Sequence, residues 1–214
     1  MKVLVVCAQR YNGHELWTAL GVMQEAGLEF EVVSTRTLIA DEVTRVPNTI
    51  ERTLDDLEDE EFDGLMFISG NMGDTEAYWK DTRTLDLVHQ AVIYKKPIAA
   101  ICCSVPTIRE AARGRKVSFF PLVRSRELLV RAGAIPHNIS ITADGDLVTA
   151  EHQMGTQVWA EAFVEVLNGR TPILELEESG FSPEGKTQRR MHPRLERLAG
   201  IEIHPKNRKA MGIE

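Results

Sequence analysis

The 214-residue chain is 43% apolar and 27% charged, the balance of a soluble globular protein with room for one substantial domain and an extension. Its formal net charge of −7 lacks the basic excess that nucleic-acid binding needs, and its longest apolar runs are strand-sized, too short to span a membrane. Three cysteines make no disulfide framework, and the opening MKVLVVCAQRYNGHE turns polar without a cleavage site, so the expected location is the reducing cytoplasm.

KVLVVCA (2–8) is a continuous Val-rich run, the pattern of a strand buried in a parallel sheet. GHELWTALGVMQEAG (13–27) places Leu16, Leu20 and Met23 on one helical face, with Gly27 as the stop. EFEVVS (29–34) predicts a second strand, and the acidic LDDLEDEEFDG (54–64) a solvated surface. LMFIS (65–69) predicts a third buried strand ending at Gly70. A long helix is expected from about Asp74 to Lys95, with Leu85, Val88 and Val92 on one face. PIAAIC (97–102) predicts a fourth strand, leading directly into a short helix through Pro106 and Ile108 to Ala112. After GRKVSFF and a helix SRELLVRAG, ISITADGDLVTA (139–150) has the pattern of a hairpin turning at Asp144-Gly145. TQVWAEAFVEVLNG (156–169) closes the domain with a helix ending at Gly169. Strands alternating with helices define an α/β fold with a parallel sheet covered on both faces. From Arg170 to Glu214 the pattern changes: residues 184–209 hold eight Lys or Arg against three Glu, with Pro193 and Pro205. This basic extension reads as a surface segment packing on the domain or on a neighbouring subunit, with an anionic partner as the alternative.

PIAAICCSVPTI (97–108) sets Cys102 and Cys103 side by side where a strand gives way to a helix. Ligands of open parallel sheets bind beyond the carboxyl ends of the strands, and a sharp strand-to-helix turn exposes one side chain there. A helix N-terminus directs amide N–H groups and the positive end of its dipole at that side chain, which favours thiolate. Position alone leaves two readings of Cys102, a reactive low-pKa thiol and an inert packed one. Cys7 lies inside the first strand, where burial raises a thiol's pKa.

DGLMFISGNMGD, KKPIAAICCSVPTI, GRKVSFFP, RAGA and DGDLVTAEHQMGT occur in the order and spacing of the ThiJ/PfpI superfamily. The chain resembles that family over roughly residues 1–169. The resemblance implies a flavodoxin-like, three-layer α/β/α sandwich of the class I glutamine amidotransferase-like type. It implies a mostly parallel sheet and a nucleophile elbow at Cys102. It also implies a Glu at the start of the first helix close to that Cys, matched by Glu15, whose protonated carboxyl can donate a hydrogen bond and steer the thiol. As a first-turn carboxylate, Glu15 also complements the helix dipole. The family's paired glycines after the third strand correspond to Ser69-Gly70, so the N–H groups of Gly70 and Asn71 are expected to cradle an oxyanion.

The departures narrow the chemistry. The protease-like branch has His after its nucleophile, where this chain has Cys103. Asp74 matches that branch's acidic partner but has no His to orient, so a Cys-His triad is not expected. The deglycase branch has a small residue after its Cys, which accommodates Cys103, and a His in the segment where this chain presents Phe120. TAEHQMGT matches a loop approaching the Cys, is one residue longer, and carries Glu151 and His152. His152 and His14 are the candidate acid or base groups, with solvent-facing roles as the alternative. His89 is expected on a surface, and His192 and His204 lie in the extension. No histidine has metal-ligand spacing, and no metal or cofactor is expected. Cys103 is expected as a small, half-buried thiol pointing away from Cys102 and counted with Gly70 and Asn71 among the oxyanion or substrate-binding residues, the alternative being a resolving thiol. The resulting expectation is an enzyme acting on small reactive carbonyls such as glyoxals, with Cys102 as nucleophile and Glu15 as proton shuttle. The alternatives are a non-enzymatic oxidative-stress sensor or chaperone working through Cys102, and a cysteine amidase or peptidase. A homodimer or larger assembly is expected, without nucleic-acid or membrane partners.

Overall fold

In a computed structural model the described residues are 1–57 and 61–174; the middle of the acidic segment and the extension beyond Leu174 lie outside them. Seven strands form the central sheet: β1 (Lys2–Cys7), β2 (Glu29–Ser34), β3 (Arg52–Thr53), β4 (Gly64–Ile68), β5 (Ile98–Ile101), β6 (Ile141–Asp144) and β7 (Leu147–Ala150). Their order is β6-β7-β5-β4-β1-β2-β3. Every neighbouring pair is parallel except the β6–β7 hairpin, in which Asp144 faces Leu147. Gly145 turns that hairpin with φ 63°, a conformation that costs glycine nothing.

Helices α1 (Gly13–Glu25), α2 (Met72–Tyr78), α3 (Thr82–Ile93), α4 (Val123–Arg131) and α5 (Thr156–Leu167) complete an α/β fold. Alternation along β1 divides the core. Val3, Val5 and Cys7 pack with Leu16, Leu20 and Met23 of α1 and with Trp159 and Phe163 of α5. Leu4 and Val6 turn the other way, toward Leu87, Val88 and Ala91 of α3 and Leu129 of α4. Trp159 is fully buried and donates its indole N–H to the Val148 carbonyl at 3.1 Å. Truncating such a side chain to Ala costs about 3–5 kcal/mol.

The long helix expected between Asp74 and Lys95 is two helices. Asp81 caps the second, its carboxylate accepting the Thr84 N–H at 3.2 Å. The Trp79 indole donates to the Cys103 carbonyl at 3.0 Å, so the break is seated against the end of β5. Starting afresh at Asp81 sets the phase of α3. Its buried residues are Thr84, Leu87, Val88 and Ala91, while Val92 is exposed. The acidic segment is exposed at Asp55, Asp56 and Glu61, but Leu54 and Phe62 are buried and anchor it to the core. The short helix expected after Cys102 is a seven-residue 3-10 helix, Cys102–Ile108, and ends before Ala112.

Candidate active site

Cys102 follows β5 directly and has φ 57°, left-handed backbone that costs a side-chain-bearing residue roughly 1–2 kcal/mol. Buried polar contacts hold this elbow. The Ser104 hydroxyl lies 3.1 Å from the Ile101 N–H, 2.6 Å from the Ile101 carbonyl and 3.0 Å from the Phe67 carbonyl, tying the turn to β4. The Phe120 N–H reaches the Cys102 carbonyl at 3.5 Å.

The two sulfurs are in contact. The Cys102 thiol lies 3.6 Å from the Cys103 sulfur, so Cys103 does not point away as expected. Left-handed backbone at Cys102 breaks the strand alternation that sends neighbouring side chains to opposite sides. This contact, followed by burial, pushes the Cys102 thiol well up, and the Ser69 hydroxyl and Cys103 amide pull the other way. These surroundings work against the low-pKa expectation and hold Cys102 toward its thiol form. Donating to a second sulfur favours the protonated form, and a short 3-10 turn aligns few peptide dipoles to oppose that. Cys7, wholly buried, is pushed up to about 12 by desolvation.

Glu15 sits on α1, three residues after the cap. Asn12 caps the helix, accepting the Glu15 N–H at 3.1 Å. The Glu15 side chain turns into the protein and is 0% exposed. Its carboxyl receives the Ser69 N–H at 2.9 Å, and the Ser69 hydroxyl lies 2.9 and 2.7 Å from its two oxygens. Burial first, and the neighbouring Cys102 second, raise Glu15 well above the usual carboxylate range against the pull of Ser69.

The amides expected as oxyanion donors are engaged. The Gly70 N–H donates to the Thr75 hydroxyl at 3.1 Å, and the Asn71 N–H to the Arg10 carbonyl at 2.8 Å. The chain crosses itself here: Gly70 bridges Tyr11, and a Cβ on Gly70 would lie 2.7 Å from the Tyr11 Cα and collide with the Arg10 carbonyl. Asp74 is likewise committed, pairing with the Arg10 guanidinium at 2.7 and 2.9 Å, which holds it below the usual carboxylate range.

The loop after β7 lies over the start of α1. Asn12 donates its side-chain amide to Gln153. His152 is half-buried, its ring centroid 6.2 Å from that of Phe120, and its Nδ1 accepts the Met154 N–H at 3.2 Å. Burial lowers the pKa of both His14 and His152, and His14 lowers that of His152 further, so the two imidazoles are electrostatic neighbours held toward the neutral form. Glu151 is buried, whereas His89 is exposed and pairs with Glu110. Three residues beside these were missed by sequence reasoning in their roles: Ser69, Asn12 and Gln153. Ser69 carried a signal, standing where the resemblance leads one to expect glycine. Among the described residues no group of three or more His, Cys, Asp or Glu is placed to hold a metal ion, and no helix is long and apolar enough to cross a membrane.

A thiol on a left-handed turn at the end of a central parallel strand, with a buried carboxyl beside it, defines an elbow-cysteine protein of the α/β sandwich class. The family model of the DJ-1/PfpI family matches residues 1–166, and the chain belongs to that family. An uncharacterized protein of Methanocaldococcus jannaschii is 29% identical over 153 residues, 70% of this chain and 74% of that one. Protein DJ-1 homolog B of Arabidopsis thaliana is 28% identical over 161 residues, 74% of this chain but 34% of that one, so the match spans about a third of the plant protein. Among solved structures, a ThiJ/PfpI domain protein from Brachyspira murdochii shares the fold with a TM-score of 0.71 at 20% identity, over 79% of this chain and 98% of that one.

Proposed function

We propose that this protein is an enzyme acting on small reactive carbonyl compounds, glyoxals first among them, with Cys102 as nucleophile and Glu15 as proton shuttle. The observation that carries this reading is a carboxyl with no solvent exposure, held toward its protonated form beside the elbow thiol. A resting thiol needs a partner that takes its proton as the sulfur attacks, and an uncharged carboxyl can give one proton while accepting another. Attack on the aldehyde carbon forms a C–S bond as the carbonyl π pair moves to oxygen. That oxygen takes the Glu15 proton while Glu15 takes the thiol's, leaving a neutral hemithioacetal and a protonated carboxyl. A proton shift from the adduct carbon to the adjacent carbonyl carbon, with the adduct hydroxyl's proton passing to the oxygen of that carbonyl, gives the thioester of a 2-hydroxy acid. Water then cleaves it to a 2-hydroxy acid and the free thiol.

The test is NMR detection of a 2-hydroxy acid formed from methylglyoxal. Turnover lost in Cys102→Ser and reduced at least ~100-fold in Glu15→Gln is the expected result. Wild-type protein giving no product above a protein-free control would overturn the reading. A second reading, oxidation sensing through Cys102, draws on the sulfur contact of 3.6 Å, which offers a neighbouring thiol to an oxidised Cys102. An amidase or peptidase of the Cys-His type gains no such support, because Cys103 occupies the position where that branch has its His and Asp74 is held by Arg10. The functional unit in this proposal is a homodimer or larger.

A further inference from the structure

We infer that Cys102 and Cys103 are a resolving pair: once Cys102 is oxidised to a sulfenic acid, the Cys103 sulfur displaces its hydroxyl and closes a disulfide between the two neighbours. The inference rests on Cys102 being the nucleophile of the functional reading above, and adds a reversible modification that turns that site off. It starts from the sulfur contact. In a strand or a helix, adjacent side chains diverge. Here the left-handed φ of 57° at Cys102 leaves its sulfur 3.6 Å from that of Cys103. A disulfide bond is roughly 2 Å long, so small side-chain rotations close the gap. The Cys103 carbonyl accepts the Trp79 indole N–H at 3.0 Å, and the Ser104 hydroxyl is bonded to the Phe67 and Ile101 carbonyls. These contacts fix the backbone around the pair and keep the two sulfurs together.

The direction of the contact fits the chemistry. The Cys102 S–H donates to Cys103, so a lone pair of the Cys103 sulfur is already aimed at the Cys102 sulfur. Oxidation replaces that S–H with S–OH and makes the Cys102 sulfur the electrophile. The lone pair that accepted the hydrogen is then the one that attacks. Exposure divides the roles in the same sense. Cys103 is 6% exposed, whereas Cys102 is only partly buried, so dissolved peroxide meets Cys102 first. The electrons balance in two steps, with hydrogen peroxide as the oxidant. In the first, an S–O bond forms on Cys102, the O–O bond breaks, and the departing hydroxide takes the thiol's proton and leaves as water. In the second, the S–S bond forms, the S–O bond breaks, and the Cys103 proton leaves with the hydroxyl as a second water. The groups that hold Cys102 toward its thiol form slow the first step but not the second, which needs no Cys102 thiolate. Neighbouring Cα atoms lie about 3.8 Å apart, closer than the usual span of about 4.4 Å or more, so the ring is strained and yields readily to a dithiol reductant. While the disulfide lasts, Cys102 has no thiol to attack a carbonyl and no sulfenic acid to pass on to the irreversible sulfinate.

The experiment treats the full chain and its Cys103→Ala and Cys103→Ser variants with excess hydrogen peroxide. Intact mass and the peptide carrying residues 102 and 103 are then compared before and after dithiothreitol, with dimedone added in a parallel sample to trap sulfenic acid. Wild-type protein should become about 2 Da lighter, with neither thiol of that peptide open to iodoacetamide, and dithiothreitol should restore the mass and both thiols. With dimedone present, the trapped sulfenic acid should sit on Cys102. Either variant should instead gain about 32 Da at Cys102, a sulfinate that dithiothreitol leaves in place. Wild-type protein that gains this same lasting oxygen, or that links Cys102 to a thiol other than Cys103, would overturn the pair. The wild-type measurement decides the question even where both variants fail to fold. Failure of the functional reading looks different: reduced wild-type protein then forms no 2-hydroxy acid from methylglyoxal, whatever its mass after peroxide. Where both hold, the disulfide abolishes that turnover and dithiothreitol brings it back.

Discussion

Cys102 combines strain and neutrality. Its left-handed backbone is held by Ser104 and exposes the residue only partly, and its thiol is shielded from ionisation by Cys103 and burial. Limited peroxide should oxidise Cys102 before Cys103 or Cys7, because Cys103 and Cys7 are both buried. Peptide mapping should find the dimedone-trapped sulfenic acid on Cys102 in wild-type protein and in Cys103→Ala, and nowhere in Cys102→Ser; first modification of Cys103 would contradict this. Glu15 gives a second test at this scale. Its folded-state pKa is raised above the ordinary 4.5, so the folded protein holds a proton that the unfolded chain releases. The corresponding stability is complete below the unfolded pKa and is lost as pH rises toward the folded one. Glu15→Gln removes this dependence while keeping a hydrogen-bonding side chain. The melting temperature of the variant relative to wild type should therefore climb as pH rises above the ordinary carboxylate value of 4.5. A difference that is flat with pH would show that Glu15 ionises equally in both states.

At the scale of the element, short connections decide where the site residues sit. The α2–α3 break places Trp79 against the Cys103 carbonyl, and Asp81 makes that break possible by capping α3 and pairing with Arg83 at 2.6 Å. Asp81→Ala should cost about 1 kcal/mol, typical of a lost N-cap, and lower the melting temperature by roughly 2–4 °C. The β4–α2 connection crosses the segment between β1 and α1 at Gly70, where backbone, not a movable side chain, fills the space of a Cβ. Gly70→Ala should therefore destabilise by about 3 kcal/mol, at the upper end for overpacking. It should also disturb Ser69, and with it the hydrogen bonds to Glu15. A chemical-denaturation midpoint equal to wild type would show that the crossing is looser than this.

For the whole molecule, the sheet gathers Glu15, Ser69 and Cys102 from three separated stretches of chain at the carboxyl ends of β1, β4 and β5. Among the described residues, helices cover both faces of the sheet up to Leu167, and each face carries its own buried cluster. A chain of residues 1–174 should therefore retain a cooperative thermal transition. In the proposal that the basic extension serves assembly, this shortened chain has a smaller assembly mass than the full chain. Light scattering showing the same number of copies in both would remove the extension from that role.

Much of this was legible in the sequence. The Val-rich run 2–7, the strand 29–34, the hairpin turning at Asp144-Gly145 and the closing helix to Leu167 follow from local patterning, because a strand or helix buried on a given face repeats its apolar residues with a fixed period. The DJ-1/PfpI family was legible too, as an ordered set of short motifs, and with it the elbow at Cys102. Three features depended on contacts between distant residues. Local periodicity does not report that α2 and α3 are separate, since the break is set by where Trp79 meets the Cys103 carbonyl. Backbone amides at Gly70 and Asn71 look free in a sequence, but the crossing at Tyr11 and the side chain of Thr75 engage both. Residue type and position suggested a thiolate at Cys102. The groups that surround it in space work the other way: the Cys103 sulfur and burial push the thiol up, against the Ser69 hydroxyl and the Cys103 amide.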